Sequence, residues 1–600
     1  MNRSACFVPT GSDIGLSRAR PIEPALLCEA ETFCVRPRVA IGGRVRQEIS
    51  LLGRPRRLVV SANVFAEAAM LGFVARPHVS CGSRSPCLGW VRAVVFSWAP
   101  RVLALVSLCG CGDDGEPTAT SFPPRPERVE VAYLSKPEAV LGWGAPRFTP
   151  DGRAISFAFA HRSRPQRRDI GLVSLSDGAF SCLTCSLPRD AAAHWWFPDG
   201  RRLLYYFYTT YNPNFYVFEL ERPADVLLVE GTKSSELTHD RFPVLSPDGR
   251  KLVWTKVRLD GFHMVMGDLV RTSTGYRVER VRLLYPPTGG NPDDVRSWAR
   301  AHAWYEAKSF TDGGRTLVFA ATRDQAANVD IYTLDLLSGE VRRVTRHPEW
   351  DETAEFSPDG RWLAFESTRA HTVLEYLSNV PLPPLIDFAA VLPITNLTLS
   401  GPLFATHEPY LLDREGDRDS YFGQRLSTEG ALGWGTREGV HWSPDGTLLV
   451  WGAVLGTPPQ DTHIGICRLV ERRPVQPLPA VATPDPEWAP LLDRVPLRSA
   501  RVDRVLAGPA GGHVRLVVDG NIASGAFSMS FEGYSEDGLH VLDGSFSLRV
   551  PVVGSAHLLA DVTLRGVESG RLQVDLQVEG SEARGFIRSE RGGRVLFRSF

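Results

Sequence analysis

Apolar and polar positions alternate in six short segments of the chain, all built in the same way. An aromatic or apolar residue comes first, Pro-Asp-Gly or a close variant follows, and an alternating stretch then runs toward an aromatic residue. Alternation with a period of two predicts β-strands, and Pro-Asp-Gly predicts a tight turn. We therefore expect six copies of a strand–turn–strand unit. The six segments span residues 143–159, 193–208, 241–257, 307–324, 354–369 and 439–453.

The copies are spaced as the blades of a β-propeller would be. Asp151, Asp199 and Asp248 lie 48 and 49 residues apart, and Gly313, which replaces the aspartate, lies 46 residues before Asp359. Repeats of about 40 to 50 residues with several strands each are typical of propellers. Wider gaps of 65 and 86 residues indicate insertions, and the second could hold a degenerate seventh blade. We predict six blades within residues 129–496.

The aspartates of these turns are predicted to be structural rather than catalytic. Proline presets φ at an early turn position, the aspartate side chain bonds back to the turn backbone, and glycine accepts a positive φ. The residues concerned are Asp151, Asp199, Asp248, Asp359 and Asp445.

The fullest copy runs from Thr322-Arg-Asp through DIYTLDLLSGEVRRVT to FSPDG. It resembles the WD40-like repeat of the TolB-type propeller family, and the resemblance covers roughly residues 130–490. The resemblance implies a six-bladed propeller of the kind found in bacterial envelope proteins and in the gating domain of prolyl oligopeptidases. One departure is that TolB carries an α/β domain before its propeller, for which the short preceding segment leaves no room.

Residues 497–600 show a different pattern, with short alternating runs broken by Gly, Asp or Ser. Seven such runs, from HVRLVVDG to GRVLFRSF, predict an antiparallel meander that forms a β-sandwich or a small barrel. The predicted fold class is therefore all-β, with a propeller followed by a smaller antiparallel β-domain.

Residues 102–114, VLALVSLCGCGDD, form a short apolar run that ends in Leu108-Cys109-Gly110-Cys111. This sequence resembles the lipobox of bacterial lipoproteins, which implies that Cys111 receives the lipid and becomes the mature N-terminus. Residues 91–110 are then a signal peptide and residues 111–128 a flexible tether. Residues 1–90 are predicted to be a non-native upstream extension or disordered. The alternative is a cytoplasmic extension in which Leu-Cys-Gly-Cys occurs by chance.

Composition restricts the partners. No apolar stretch reaches the length of a membrane-spanning helix, and a formal net charge of −1 gives no electrostatic reason to expect a nucleic acid. We expect a monomer in the bacterial cell envelope, anchored by lipid and bound to envelope proteins or cell-wall polysaccharide. Gly112 after Cys111 favours the outer membrane over the inner one.

Cys182 and Cys185 form a C-x-x-C pair whose role is left open by the sequence. In an exported protein they are predicted to form a local disulfide or to stay as two free thiols, and a metal or redox role is the alternative.

Three histidines, His194, His302 and His441, precede predicted turns and could converge on the channel to bind a divalent metal. No Gly-x-Ser-x-Gly or Walker motif occurs, so no cofactor is predicted beyond this metal. The expected function is a non-catalytic binding scaffold, and the alternative is a metal-dependent polysaccharide-degrading enzyme. In the scaffold, the insertions at residues 259–306 and 370–438 would dock partners, with Trp298, Trp304 and Tyr305 as anchors if exposed.

Overall fold

The computed structural model describes residues 123–600 with twelve gaps. The gaps are residues 188–189, 192, 207–213, 223–224, 233–238, 287–290, 292, 400–406, 428–433, 456–461, 499–500 and 553–554. The predictions for residues 1–110, and for Cys111 as the lipid attachment site, fall outside the described residues.

Six blades of four antiparallel strands form the first part of the described chain, as the repeats predicted, and the outer strands of blades 2 and 3 also pair in parallel at Val229 and Tyr276. Blades 1 to 5 are β2–β5, β6–β9, β10–β13, β14–β17 and β18–β21, and blade 6 is β22–β24 with β1. The strands are β1 (Val129–Tyr133), β2 (Val140–Phe148), β3 (Ala154–His161), β4 (Arg164–Ser174), β5 (Phe180–Cys182), β6 (Ala193–Trp196), β7 (Arg202–Tyr206), β8 (Phe215–Glu219), β9 (Val226–Glu230), β10 (His239–Leu245), β11 (Lys251–Arg258), β12 (Gly261–Arg271), β13 (Tyr276–Tyr285), β14 (Tyr305–Thr311), β15 (Thr316–Ala321), β16 (Asp330–Asp335), β17 (Val341–Arg343), β18 (Asp351–Phe356), β19 (Trp362–Ser367), β20 (Glu408–Asp413), β21 (Gln424–Arg425), β22 (Trp434–Trp442), β23 (Leu448–Leu455) and β24 (Thr462–Leu469). The 86-residue gap holds β20 and β21 of blade 5, so it supplies no seventh blade among the described residues.

The first strand closes the ring. β1 pairs antiparallel with β24, from Val129 opposite Leu469 to Tyr133 opposite Gly465. Blade 6 therefore combines the two ends of the propeller sequence, and β1 takes the place of β24 as its edge strand.

The turn between the first two strands of each blade contacts the turn of the preceding blade. A Cβ built on Gly152 would lie 3.4 Å from Pro444, and one on Gly249 would lie 3.2 Å from Pro198. Equivalent Gly-to-Pro contacts link blade 4 to blade 3 and blade 6 to blade 5. A Cβ built on Gly200 of blade 2 would lie 4.0 Å from Pro150 of blade 1. These turns form one face of the propeller, which we call the turn face.

Each predicted turn aspartate holds its own turn together. Asp151 Oδ1 accepts the Arg153 N–H at 3.1 Å and the Thr149 hydroxyl at 2.6 Å. The aspartates of blades 2, 3, 5 and 6 accept the N–H two residues ahead in the same way. This hydrogen bond is local, so the turn needs no tertiary partner to form.

The proline-rich segment 474–485, which we call the strap, crosses the turn face from blade 6 to blade 3. Val475 N–H donates to Asp445 O, Leu478 N–H to Pro358 O, and Val481 N–H to Gly313 O. Thr483 N–H then donates to the carboxylate of Asp248 at 3.0 Å. The first three contacts are three residues apart, which matches the three-residue turn of a polyproline II helix. The strap therefore makes one hydrogen bond per blade.

Three helices occur in the insertions: α1 (Val295–His302), α2 (Glu375–Ser378) and α3 (Asp387–Leu399). Asp294 caps α1, because its side chain accepts the Ser297 N–H at 2.8 Å. Helix α3, DFAAVLPITNLTL, has no polar face, and such a helix is stable only when buried on all sides. Among the described residues, no helix has both the length and the apolar composition of a membrane span.

The last part of the chain is one antiparallel sheet of eight strands, each paired with the next, that is curved into a nearly closed barrel. Seven of the strands were predicted, and β25 was missed. Its concave side shares a single cluster of buried apolar residues with α1 and α3. The strands are β25 (Arg501–Ala507), β26 (Gly511–Asn521), β27 (Ser524–Ser535), β28 (His540–Val550), β29 (Ser555–Gly566), β30 (Gly570–Glu579), β31 (Glu582–Arg591) and β32 (Arg594–Ser599).

The two edges of the barrel meet insertions of the propeller. Asp294, just before α1, forms a β-bridge with Ala507 at the edge strand β25. At the other edge, Glu375 of α2 pairs with Arg594 of β32. The seam between the edges is therefore bordered by α1 and α2.

Candidate functional site

The first strand of each blade lines the central channel, and one position in these strands is equivalent in all blades. It lies three residues before the turn proline, or before Asp312 in blade 4. A β-bulge lies just before or at this position in five blades, and bulges re-aim side chains. Because the blades repeat the same geometry, the six residues lie at one level of the channel, which we call the channel layer. They are Arg147, Trp195, Val244, Ser309, Glu355 and His441.

Three members of the channel layer form a polar chain across blades 1, 6 and 5. His441 Nδ1 lies 2.6 Å from Glu355 Oε2, and Arg147 NH1 lies 3.4 Å from the same Nδ1. The short distance to a carboxylate requires the proton to be on Nδ1, which donates to Glu355. His441 therefore cannot also accept a hydrogen bond from Arg147 through this nitrogen.

Arg147 is a cation without an ion-pair partner among the described residues. Its guanidinium lies over the ring of Trp195, 4.8 Å from the centroid. Burial lowers the pKa of Arg147 to about 10, although the charges of Glu355 and Tyr206 act in the opposite direction. A guanidinium held deep in the molecule without a carboxylate gains free energy when an anionic or hydrogen-bond-accepting group binds it.

The cations on the other side of the channel are neutralised. Lys308 Nζ lies 2.8 Å from Glu306 and 2.9 Å from Glu352, and Arg241 also pairs with Glu306. Burial alone would lower the pKa of Lys308, but the two carboxylates outweigh it and raise the pKa. Phe242 lies between the two cations with a φ of 50°, a strained conformation for a bulky residue.

Two of the three predicted metal ligands, His194 and His441, lie on the inner strands β6 and β22. His194 on β6 is fully buried, with Nε2 2.7 Å from the Ser156 hydroxyl and Nδ1 without a hydrogen-bond partner among the described residues. Burial lowers the pKa of His194, and the nearby Arg147 and His441 lower it further. Ring nitrogens of both His194 and His441 are therefore near a cation, which opposes the binding of a metal ion.

His302 does not join them, which corrects the predicted three-histidine site. It lies at the end of α1, where its ring stacks on Trp298 at 3.9 Å and its Nδ1 donates to the Trp298 carbonyl. The connection before blade 4 forms a helix, so His302 is not on the inner strand. In the part of the chain that the structure describes, the one group of three metal-ligating atoms within 4.8 Å is Asp169, Cys182 and Cys185.

A disulfide joins Cys182 and Cys185, so neither sulfur has the thiolate that a metal ion needs. Asp169 is fully buried beside them and is paired with Arg167 at 2.8 Å. Its carboxylate also lies 3.2 Å from the hydroxyl of Thr184.

The equivalent residues of blades 4 and 5 explain why Asp169 is buried beside the disulfide. In blade 4, Asp330 occupies the position of Asp169 and pairs with Arg343 of the outer strand, while Thr345 bonds to it. In blade 5, Glu408 pairs with Arg425 in the same way. Cys182 replaces this outer-strand arginine in blade 1, and Arg167 takes over the ion pair.

The aromatic anchors predicted for partner docking are buried. Trp298, Trp304 and Tyr305 expose 7%, 3% and 0% of their surface. Trp298 Nε1 donates to the Leu385 carbonyl, and Trp304 packs on Trp350 at 6.2 Å. These residues hold the insertions to the propeller and are not available to a partner.

Sequence reasoning missed Arg147, Glu355 and Lys308. A signal existed, because each occupies the inner strand just before a turn, where a propeller presents side chains to its channel. Comparing the position three residues before the turn proline across the six copies would have identified the channel layer, and Lys308 directly precedes its blade 4 member, Ser309.

No family model and no curated protein matches the chain. Solved structures with a similar fold include TolB from Acinetobacter baumannii, with 15% identity, coverage of 55% of this chain and 65% of that one, and a TM-score of 0.31. A putative TolB from Agrobacterium tumefaciens has 15% identity over 58% of this chain and 98% of that one, with a TM-score of 0.33. The oligogalacturonate lyase from Vibrio parahaemolyticus has 15% identity over 58% and 96%, with a TM-score of 0.33. Two of these three similar structures are TolB proteins, one of them putative.

Proposed function

We propose that this protein is a lipid-anchored protein of the bacterial envelope whose propeller is a non-catalytic scaffold for binding a protein or a glycan. The observation that carries the proposal is Arg147, the cation of the channel layer that has no carboxylate partner among the described residues. A partner that presents a carboxylate, a phosphate or a hydroxyl oxygen to the channel would complete its coordination.

The state of the other channel groups supports binding over catalysis. A general base or a metal ligand needs a free lone pair close to the substrate. Glu355 is engaged by His441, and Glu306 and Glu352 are engaged by Lys308. These contacts stabilise the ring of blades and leave the guanidinium of Arg147 as the group best placed to bind a ligand.

Two features support the location in the envelope. The lipobox-like sequence at Cys111 would attach the chain to a membrane, and the Cys182–Cys185 disulfide is typical of oxidising compartments. The mass of the N-terminal peptide from the native membrane fraction tests the anchor. We expect an acylated peptide that begins at Cys111, and an unmodified peptide that begins upstream would contradict it.

Partner binding can be tested through Arg147 itself. A photo-crosslinking phenylalanine analogue at Trp195 retains an aromatic ring beside the guanidinium. We expect a crosslinked product in cells that is lost in Arg147→Gln and retained in Arg147→Lys. Equal crosslinking in all three proteins would remove the channel from the proposal.

The alternative, a metal-dependent polysaccharide-degrading enzyme, is favoured by the unpartnered Nδ1 of His194. It predicts a metal ion retained at one per chain on purification and lost in His194→Gln. That result, together with depolymerisation of an acidic polysaccharide, would replace the scaffold by an enzyme.

A further inference from the structure

A polar cleft of about 280 Å³ lies between blades 4 and 5 at the turn face, away from the channel layer. Its wall includes Thr311, Thr316 and Thr333 from three adjacent strands of blade 4. The side chain of Phe356 from blade 5 forms the opposite, apolar wall. The volume is slightly below the ~300–1,000 Å³ of typical small-molecule sites, which suits a ligand of one or two rings.

The repeats explain why the cleft exists. The residue two positions after the turn glycine is Arg202 in blade 2, Lys251 in blade 3, Trp362 in blade 5 and Leu448 in blade 6. These long side chains pack there: Arg202 lies over Phe197 at 4.2 Å, and Arg472 lies over Trp362 at 4.4 Å. Blade 1 has Ala154 and blade 4 has Thr316 at this position, and in blade 4 the short side chain leaves space that faces Phe356.

The hydroxyl groups of the cleft are available to a ligand. Thr311, Thr316 and Thr333 are each less than a tenth exposed. Their hydroxyls make no hydrogen bond to the described part of the protein, although buried polar groups normally find a partner. Each hydroxyl can both donate and accept a hydrogen bond.

Two charged groups of the cleft also lack an ion pair. Arg342 donates to the Arg414 carbonyl at 2.8 Å, but no carboxylate lies within 4 Å of its guanidinium among the described residues. Burial lowers the pKa of Arg342, the charge of Glu415 opposes this effect, and the neighbouring Arg414 adds to it. Glu340, near the rim, has no ion pair within the described residues either. The other charged residues of the cleft are already paired, Asp312 with Arg414 and Asp335 with Arg315.

We propose that this cleft is a binding site for a sugar residue of a glycan. A sugar ring presents hydroxyls that both donate and accept, and a face of C–H groups that can lie on Phe356. Adjacent hydroxyls fit the fork of Arg342 and the carboxylate of Glu340 at the same time. Since the two free charges are of opposite sign, a strongly anionic or cationic ligand gains less than a neutral one.

Free monosaccharides test the site directly. Glucose, galactose, mannose and N-acetylglucosamine are added in turn, at millimolar concentration, to the full chain, and saturation-transfer NMR detects the bound sugar. We expect at least one sugar to bind. The Thr316→Leu variant, which has the residue of blade 6 at this position, should lose affinity by about tenfold or more. Thr316→Ser keeps the hydroxyl and the space, so it should bind within a factor of about three.

Two further variants make the result decisive. Arg342→Gln should weaken binding without filling the cleft, and it replaces Thr316→Leu as the test if the latter does not fold. Arg147→Gln should leave sugar binding unchanged, which separates this site from the channel. Absence of binding by all four sugars, or equal binding by the wild type and the Thr316→Leu and Arg342→Gln variants, would overturn the proposal.

Discussion

At the scale of single residues, two buried carboxyl groups stand out because no cation of the described residues forms an ion pair with them. Asp387, at the start of α3, accepts the Ala327 N–H at 3.1 Å and lies beside the hydroxyl of Thr322. Glu349 accepts a hydrogen bond from the hydroxyl of Thr368, which occupies in blade 5 the position that Thr322 occupies in blade 4. Burial raises the pKa of each group to about 7, although the hydrogen bonds act in the opposite direction. Both carboxyls are therefore protonated in mildly acidic solution.

The variant Asp387→Asn should remove a pH dependence of stability. The folded pKa lies above that of the unfolded chain, so Asp387 contributes stability at low pH that is lost as pH rises from about 4 through about 7. Asparagine stays neutral and keeps an acceptor for the Ala327 N–H. Between about pH 5 and about pH 8, the free energy of unfolding of the wild type should fall by about 2 to 3 kcal/mol relative to the variant. Urea unfolding at the two pH values measures this difference.

A control with the opposite sign is Asp543→Asn in the barrel. Asp543 accepts hydrogen bonds from Arg565 and from the Gly533 N–H, and these contacts lower its pKa. Here the wild type should lose stability relative to the variant as the pH falls below about 4, and the difference should stay constant between about pH 5 and about pH 8. A pH-independent difference for Asp387→Asn would mean that its carboxyl is ionised in the folded protein throughout this range.

The role of a residue could be predicted when its partners lie in the same turn. It could not be predicted when its partners lie in another blade. Asp151 needs partners only two residues away, so Thr-Pro-Asp-Gly is sufficient to assign its role. Arg147 and His441 are 294 residues apart in sequence and come together only because β1 closes the ring. No local pattern contains that information. His302 was misassigned for a different reason, because the connection before blade 4 forms helix α1.

At the scale of elements, the strap shows how the turn face treats identical turns differently. Pro150 and Asp151 of blade 1 are exposed, and so are Pro198 and Asp199 of blade 2. The turn residues of blades 3 to 6 are half-buried or buried, because the strap covers them. The six turns could be predicted as elements. The covering of these turns by the strap could not be predicted, because the sequence of the strap has no apolar period and resembles that of a linker.

Helix α3 was missed for a related reason. Its apolar residues do not follow a stripe with a period of 3.6, since Phe388, Ala389, Val391 and Ile394 are all buried although they point to different sides of the helix. In a sequence, such a run cannot be distinguished from a buried strand. The insertion was therefore expected to be a docking loop.

The strap can be tested by substituting alanine for two glycines that share one backbone conformation. Gly446 has a φ of 71° and Gly178 a φ of 70°. A Cβ on Gly446 would lie 2.8 Å from Val475 of the strap, whereas a Cβ on Gly178 would meet nothing within 4 Å. Gly178→Ala should cost about 1 to 2 kcal/mol for the left-handed backbone alone. Gly446→Ala should cost about 1 kcal/mol more, since the Val475 hydrogen bond is also strained.

Limited proteolysis with elastase distinguishes the two costs. We expect faster cleavage within residues 475–482 in Gly446→Ala and an unchanged rate in Gly178→Ala. Equal cleavage in both variants would show that the strap is not held by its contact with this turn.

At the scale of the whole molecule, the propeller and the barrel share one hydrophobic core. Phe388 of α3 is 3% exposed, and its ring lies 5.6 Å from Phe527 of β27 and 5.3 Å from His302 of α1. The barrel interior thus includes residues from an insertion 100 residues earlier in the chain. The strands of the barrel could be predicted from the sequence. The apolar side chains that pack inside it could not, because some of them come from α3, a distant part of the sequence.

Phe388→Ala should destabilise both parts. A buried Phe→Ala substitution costs about 3 to 5 kcal/mol. Hydrogen exchange should become faster in β26–β28 and in α1, while blades 1 and 2 remain protected. The control is Phe597→Ala on the outer edge of the barrel, where the ring is 59% exposed and the cost should be within about 0.5 kcal/mol. Faster exchange confined to α3 would contradict a shared core.

The closure of blade 6 has a consequence for the timing of synthesis. Val129 of β1 pairs with Leu469, which is made 340 residues later. At a synthesis rate of about 5 to 20 residues per second, β1 waits roughly 17 to 70 s for its partner strand. During that interval the backbone groups of β1 have no partner strand, whereas β2 of blade 1 can already pair with β3. The strap and the barrel can take their places only after this wait, so β1 needs a chaperone or its own solubility more than any other strand of the propeller.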